Sequence, residues 1–325
     1  MFDLVALGEL LIDFTESGIS ANNQRLFEQN PGGAVANVAC AASRMGVRTS
    51  FIGKVGNDMH GAFLASTLQS IGVNTDNLVF SDEVFTTLAF VALSQKGERT
   101  FAFARKPGAD TCLKAEEISH ELLSSCRILH VGSLSMTDEP ARGATLYAVK
   151  TAKGKGAIIS YDPNYRAMLW RSKSEAILHM RSLLPYADYV KMSDEETALL
   201  TDFHDPKQAL EYLLNNGARV AVVTLGDKGA MLGFNGRYVG IPAFTMPKII
   251  DTTGAGDAFW GAFLSRILKG ASLNDLNFDT LTEYVRFANA AAALCVTKRG
   301  AIPAMPAEEE VWRLIESRIK ALHFI

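Results

Sequence analysis

Cysteine is scarce in this chain, and the little there is does not cluster. Cys40, Cys112, Cys126 and Cys295 are scattered over 325 residues, with no C-x-x-C pair and no histidine at ligand spacing. A structural zinc is therefore not expected. Disulfides are not expected either, in a chain that shows no sign of export. No uninterrupted apolar run reaches the length that spans a bilayer. The first residues lead directly into a strand-like run, Leu4 to Leu7, accompanied by Asp3, Glu9 and Asp13. An export signal calls for a basic start and a longer apolar stretch. The expectation is a soluble, cytoplasmic protein. An excess of one charge is also missing: 32 basic side chains face 35 acidic ones, a net charge of -3. That balance gives no reason to expect a nucleic acid or an anionic membrane as partner. The nearest thing to a charge run, Glu308-Glu309-Glu310, reads as a solvated helix face.

Linkers rich in Pro, Gly or Ser are absent, and so is any repeat of solenoid period. The chain reads as one domain, 1–325, and its 48% of hydrophobic residues suffice for a sizeable core. Strand-like runs at Leu4–Leu7, Thr49–Val55, Ile128–Val131, Ala157–Tyr161, Tyr189–Met192, Ala221–Leu225 and Ala230–Phe234 are short and apolar on both faces. Helix-like segments fall between them, at Ala34–Met45, Ala62–Ile71, Arg142–Lys153 and Pro206–Asn215. The pattern predicts an α/β fold with a central, mainly parallel sheet covered by helices on both faces.

One region departs from that pattern. Thr86–Ser94 and Arg99–Arg105 are strand-like and separated by Gln95-Lys96-Gly97-Glu98, which reads as an antiparallel hairpin. Phe101, Phe103 and Arg105 alternate, so a strand would put them on one face. A small sheet covering something polar fits this face, and an ordinary edge hairpin fits it as well. Phe14–Phe27 is a candidate for further lid strands. The lid is thus expected from about 14–30 and 84–106.

Two common phosphate-binding signatures are missing. Gly53-Lys54 is followed by Val55 rather than Ser or Thr, so there is no P-loop lysine. The first strand leads into Gly8-Glu9-Leu10-Leu11-Ile12-Asp13, which is not a dinucleotide fingerprint. What is present is Asp251-Thr252-Thr253-Gly254-Ala255-Gly256-Asp257, ahead of a helical run to Lys269 in which Phe259, Phe263 and Ile267 recur at helical spacing. Small residues at a helix start let a phosphate approach the backbone, where free N–H groups bind negative charge. Such groups can also stabilise charge developing on a transferred phosphoryl group. An aspartate in that first turn can take the proton of an attacking hydroxyl. The same pattern also makes a good helix start with no further role.

Six ordered motifs decide between these readings. They are Gly32-Gly33-Ala34-Val35-Ala36-Asn37-Val38-Ala39 with Gly53–Asp58 and Gly61; Asp162-Pro163-Asn164-Tyr165-Arg166; Lys191–Glu196; Thr224–Gly229; and Asp251 to Leu264. On these motifs the chain resembles the ribokinase-like (PfkB) family of carbohydrate kinases over nearly its whole length. Within that family it is most similar to fructokinases, on Gly8–Phe14, Thr87–Val91, Gly97–Arg99, Phe103–Arg105, Pro107–Asp110, Asp162–Arg166 and Leu169-Trp170. The resemblance implies a ribokinase-like fold with a small β-sheet lid over the sugar.

It also implies roles. Asp257 would be the catalytic base, with Gly254, Ala255, Gly256 and Arg166 holding phosphoryl charge. Asp13, Gly32, Gly33, Asn37, Phe103 and Arg105, with Asp257, would contact the sugar. Asn164, Ser193, Thr224, Gly226, Gly229, Gly256 and Asn289 would hold ATP. Glu196 would orient magnesium-bound water, although Ser193 stands where the family's N-x-x-E motif has Asn. Asp251 and Thr253 would be ligands of a potassium ion, with the backbone carbonyls of Cys295, Lys298 and Gly300, and Ala304 replaces a serine ligand of ribokinase-type members. The activity implied first is ATP-dependent phosphorylation of fructose at O6. Behind it stand 2-keto-3-deoxygluconate kinase, then ribokinase or nucleoside kinase, and a non-enzymatic sugar- or nucleotide-binding regulator. Relatives often dimerise through lid strands; a homodimer and a monomer both remain open.

Overall fold

Strands that are apolar on both faces need cover on both sides, and the computed structural model shows that arrangement over the residues it describes, 1–93, 99–270 and 276–322. The strands are β1 (Leu4–Leu7), β2 (Leu11–Ile19), β3 (Arg25–Gly32), β4 (Thr49–Gly56), β5 (Leu78–Ser81), β6 (Leu88–Leu93), β7 (Arg99–Ala104), β8 (Ile128–Val131), β9 (Ile158–Tyr161), β10 (Tyr189–Ser193), β11 (Val220–Thr224), β12 (Ala230–Phe234) and β13 (Arg237–Ile241). The α-helices are α1 (Ala34–Arg44), α2 (Met59–Ser70), α3 (His120–Ser125), α4 (Ala141–Gly154), α5 (Lys173–Arg181), α6 (Thr197–Thr201), α7 (Pro206–Asn215), α8 (Ala255–Lys269), α9 (Phe278–Cys295) and α10 (Glu308–Leu322).

Nine strands form the central sheet in the order β13-β12-β11-β10-β9-β8-β1-β4-β5. The pairings from β11 to β5 are parallel; β12 and β13 add an antiparallel edge. Apolar residues of β1, β8, β9, β10 and β11 divide between two core clusters, one on each face of the sheet. One cluster packs against α4, α5 and α7, the other against α1, α8 and α9. The expected α/β architecture is thus present.

The second sheet has four strands, β3-β2-β6-β7. The region at Phe14–Phe27 expected to add lid strands does so, as β2 and β3. Three residues after β1, the chain crosses into the lid at Leu11, and β3 returns it at Gly32 to start α1. The lid is moored where β6 and β7 meet the body. Asp58 caps α2 and also accepts from the backbone N–H and hydroxyl of Thr86, at 2.9 and 3.0 Å. Thr87 donates to Asp110. The predicted loop Gln95-Lys96-Gly97-Glu98 lies outside the described residues, as does the side chain of Phe101.

Two details of the sequence reading change. The Glu308–Glu310 run is not merely solvated. Glu308 pairs with Arg266 at 3.0 Å and with Lys269, while Glu310 pairs with Lys298 at 3.3 Å. The strand β7 ends at Ala104, so the alternation that put Arg105 on the face of Phe103 stops one residue short.

Candidate active site

Close packing of two helices builds the centre of the site. α1 presents Val38, Ala41 and Ala42 to Gly261 of α8, where an added Cβ would lie 2.5 Å from the Cβ of Ala41 and 2.7 Å from the oxygen of Val38. Only glycine permits that approach. Both helices begin at a glycine with positive φ, Gly33 at 119° and Gly254 at 77°, and both residues line one cleft of about 840 Å³. The cleft lies at the carboxyl ends of β1, β9, β10 and β11, the usual ligand position in open α/β sheets.

Asp257 is the third residue of α8 and 6% exposed. Asn37 of α1 donates to its Oδ2 at 2.7 Å, and Asn164, just after β9, donates to its Oδ1 at 3.1 Å. Both carboxylate oxygens are thereby oriented. Burial pushes its pKa up to about 6, against the pull of the Lys191 ammonium. That places the group near the range suited to a general base at neutral pH. Asn37 and Asn164 therefore do something that the motif reading did not give them: they hold the Asp257 carboxylate.

Asp13 enters from the lid. In β2 it pairs with Asn30 of β3 and Ala89 of β6, and Ala89 pairs with Phe103 of β7. Paired residues share a face, and Leu11, Asp13, Thr15, Asn30, Val91 and Phe103 all line the cleft. Gly32 lies beside this carboxylate, not in the lining. A Cβ there would meet Asp13 Oδ2 at 2.3 Å, so the glycine makes room for the aspartate. Burial pushes Asp13 up to about 6 as well, with Arg166 opposing and Asp251 and Asp257 adding to the rise.

Gly256, Arg166, Ser193, Glu196, Thr224, Gly226, Asp251, Thr253 and Gly300 also border the cleft. Arg166 is exposed. Glu196 is 8% exposed and accepts from Tyr165 N at 2.6 Å, Ser193 N at 2.8 Å and Ser193 Oγ at 3.0 Å. The serine that replaces the family's Asn thus braces the glutamate. Asp251 accepts from Thr253 N and Oγ1 at 3.0 and 2.7 Å and from Gly300 N at 3.0 Å. It ties together the two backbone segments from which cation ligands were expected.

Other predicted residues lie elsewhere. Arg105 is buried away from the lining. Its guanidinium donates twice to Asp110 Oδ2, at 2.9 and 2.7 Å, and also to Thr137 Oγ1 and the oxygen of Leu134. It anchors the end of β7 instead of facing a sugar. Asn289 donates to the oxygens of Ile241 and Pro242, both at 3.1 Å, which braces the chain after β13. A Cβ at Gly229 would meet the oxygen of Ile241 at 2.1 Å, so that glycine serves a close backbone approach. Ala255 is the first residue of α8. The Lys298 side chain pairs with Glu310, and Cys295 Sγ lies 3.8 Å from the oxygen of Thr253, which leaves the backbone carbonyls expected to face a cation untouched by either side chain. All four cysteines are free. Among the described residues no cluster of three or more His, Cys, Asp or Glu is arranged to hold a metal. No described helix is long and apolar enough to cross a membrane.

Three cleft-floor residues were missed as site residues. Glu9 is 1% exposed and lines the cleft; its Oε1 accepts from Ala34 N at 2.6 Å, and burial raises it to about 7. Lys191 and Asp162 form a buried pair at 2.8 Å. A lysine in the middle of a strand buried on both faces was the available signal, because such a charge must be paired.

Known proteins share this architecture and these motifs. The pfkB family of carbohydrate kinases matches residues 1–308. A probable fructokinase of Arabidopsis thaliana is 42% identical over 323 residues, covering 98% of each chain. The structure of a Xylella fastidiosa fructokinase with bound ATP superimposes with a TM-score of 0.89 at 34% identity, covering 98% of this chain and 99% of that one. A Vibrio cholerae fructokinase variant bound to fructose, ADP and potassium gives a TM-score of 0.86 at 32% identity, covering 96% and 98%. With its six ordered motifs and matches that span almost the whole sequence, this chain belongs to the pfkB family of carbohydrate kinases and is a phosphotransferase acting on a sugar hydroxyl.

Proposed function

We propose that this protein transfers the γ-phosphoryl group of ATP to D-fructose, at the O6 hydroxyl. The observation that carries the reading is the placement of Asp257. It is held on both oxygens, has its pKa raised towards neutrality, and stands at a helix N-terminus in the same cleft as Asp13. Asp13, with two acceptor oxygens, would take hydrogen bonds from neighbouring sugar hydroxyls. Phe103 would cover an apolar face of the sugar and exclude water. Asp257 would take the hydroxyl proton while N–H groups of the Gly254–Gly256 turn, together with Arg166, hold charge on the phosphoryl oxygens. Fructokinases among the relatives, one of them bound to fructose, point to fructose as the acceptor. One feature of this chain agrees: the Arg105 guanidinium is committed to Asp110, Thr137 and Leu134 and so is not available to the carboxylate of a keto-deoxy acid.

Magnesium would arrive on the nucleotide and neutralise phosphate charge, keeping several of its waters. Glu196 suits it, because a buried carboxylate fixed by three donors retains lone pairs for a metal-bound water. A potassium ion would sit against the segments that Asp251 ties together. A second copy of this chain would cover the outer face of the lid. There Phe14 stacks on Phe90 at 5.3 Å, Phe27 packs edge-on, and Ile19 is exposed. Sedimentation at micromolar concentration should give a dimer, and Phe90→Ser should shift it to monomer.

ADP release measured against a panel of fructose, 2-keto-3-deoxygluconate, ribose and adenosine tests the reaction. Turnover on fructose alone is expected. Turnover on the acid sugar alone would replace the substrate, and no turnover on any of them would leave a binding protein.

A further inference from the structure

The sugar-kinase reading leaves one buried cation without a task. Lys191 sits in β10 between the buried side chains of Val190 and Met192; it is 5% exposed and borders the cleft. An ammonium has three N–H donors. Among the described residues the bond to Asp162 Oδ2, at 2.8 Å, is the single hydrogen bond it makes. Burial alone would strip its proton, but Asp162, Glu196 and Asp257 outweigh that and hold the pKa above its ordinary value. Stability is a weak reason for such a pair, because a buried ion pair is often no better than apolar side chains of the same volume.

The position of the ammonium is more telling. A Cβ added at Gly256 would lie 2.9 Å from Lys191 Nζ. The ammonium therefore occupies the space left by the missing side chain in the first turn of α8, beside Asp257. Gly254 and Gly256 of that turn and the lysine border the same cleft. The first turn of α8 itself carries an acid, Asp257, and no base.

We infer that Lys191 is a catalytic residue whose ammonium contacts the oxygens of the transferred phosphoryl group, with Asp162 as the positioning residue that aims it. The inference rests on the sugar-kinase reading. In the step, the hydroxyl proton passes to Asp257 and the sugar oxygen bonds to the γ-phosphorus. The bond to the ADP oxygen breaks, and its electron pair leaves with ADP. Lys191 makes and breaks no covalent bond; it lies against the charge on the equatorial oxygens. It also explains Gly256, where any side chain would push the ammonium away.

Steady-state kinetics and calorimetry on Lys191→Met, Lys191→Arg and Asp162→Asn test this. The probe is ADP with and without aluminium fluoride, whose planar anion stands in for the transferred group. Lys191→Met is expected to lower kcat by about 10²–10³-fold, as loss of a preorganised charged donor does. Its KM for the sugar should stay within about threefold, as for an interaction made only in the transition state. It should also lose the extra affinity that fluoride confers on ADP, while Lys191→Arg recovers part of both. A folded Lys191→Met with kcat within fivefold of wild type, or with the fluoride gain intact, overturns the inference. Should that variant not fold, Asp162→Asn decides: it should keep ADP affinity and lose most of the fluoride gain, and a full gain overturns the proposal. Wild-type enzyme inactive on every sugar would fail the kinase reading itself and take this inference with it.

Discussion

On the floor of the cleft Asp257, Lys191, Asp162, Glu196, Asn37 and Asn164 are each less than a tenth exposed and hydrogen-bonded to one another or to the backbone. In the lid Asp13, Thr15, Asn30 and Phe103 are partly buried, each more accessible than those floor residues, and Glu28 is exposed. The floor rides on two helices locked at Gly261 and on the central sheet; the lid is a four-stranded sheet moored at Thr86, Thr87 and Arg105. Charge held in a dry, rigid frame acts at full strength on a transition state and costs no reorganisation when the reaction occurs. A more accessible sheet is suited to admitting and covering a substrate. The two regions should therefore separate in kinetics, with floor changes appearing in kcat and lid changes in substrate affinity.

The largest separation is expected at Asp257. Asp257→Asn should lower kcat by about 10³-fold or more with sugar affinity preserved, since removing a general base acts on the chemical step. The same change should stabilise the fold. A carboxyl whose folded pKa is raised to about 6 contributes stability at low pH and loses it as pH rises through that value. The ionised group thus costs on the order of 2–3 kcal/mol at neutral pH. Calorimetry at pH 8 should show a higher Tm for the variant, and the gap should narrow below pH 6. Near-normal turnover in this variant would merge floor and lid into one kinetic class.

In the lid, Asp13→Ala should weaken sugar binding by about 10–100-fold, the cost of charged hydrogen bonds lost to a polyol. Titration of the variant with fructose checks it, and unchanged affinity would remove Asp13 from the sugar site. A pH profile comes next. Asp257 faces Lys191, Asp162 and Arg166 and must be ionised to act, so kcat should be level above pH 7 and fall about tenfold per pH unit below about 6. A profile flat down to pH 5 would break the assignment of the base.

Smaller effects should mark the lid. Phe103→Ala should raise sugar-independent ATP hydrolysis several-fold through loss of water exclusion; an ADP assay without sugar reads it. Arg299 links body and lid through Glu28 at 3.0 Å and the oxygen of Glu16 at 3.2 Å, but its side chain and that of Glu28 are about half exposed. An exposed pair contributes little. Arg299→Ala should change the sugar KM by less than about fivefold, and a larger change would make this contact a true latch.

The order of strands and helices was legible because short apolar runs and amphipathic segments depend on local pattern alone. The phosphate-binding turn was legible for the same reason: Gly254 to Asp257 are contiguous. The lid strands were legible through alternation, but Arg105 was not. Its alternation suggests a face it does not take, because β7 ends at Ala104 and Asp110 draws the guanidinium inward. Lys191 was read as one letter of a strand, and its partner Asp162 lies 29 residues away.

The sequence by itself determined the class of fold, the glycine-flanked start of α8, and the family. It did so because glycine spacing and periodic burial are written in adjacent residues. Tertiary structure alone decided which side chains share the cleft. Asn37 and Asp257 are 220 residues apart and meet at 2.7 Å only because a glycine in α8 lets α1 come close. Burial, not residue type, then set the aspartate near pH 6, since the same carboxyl in water would titrate near 4.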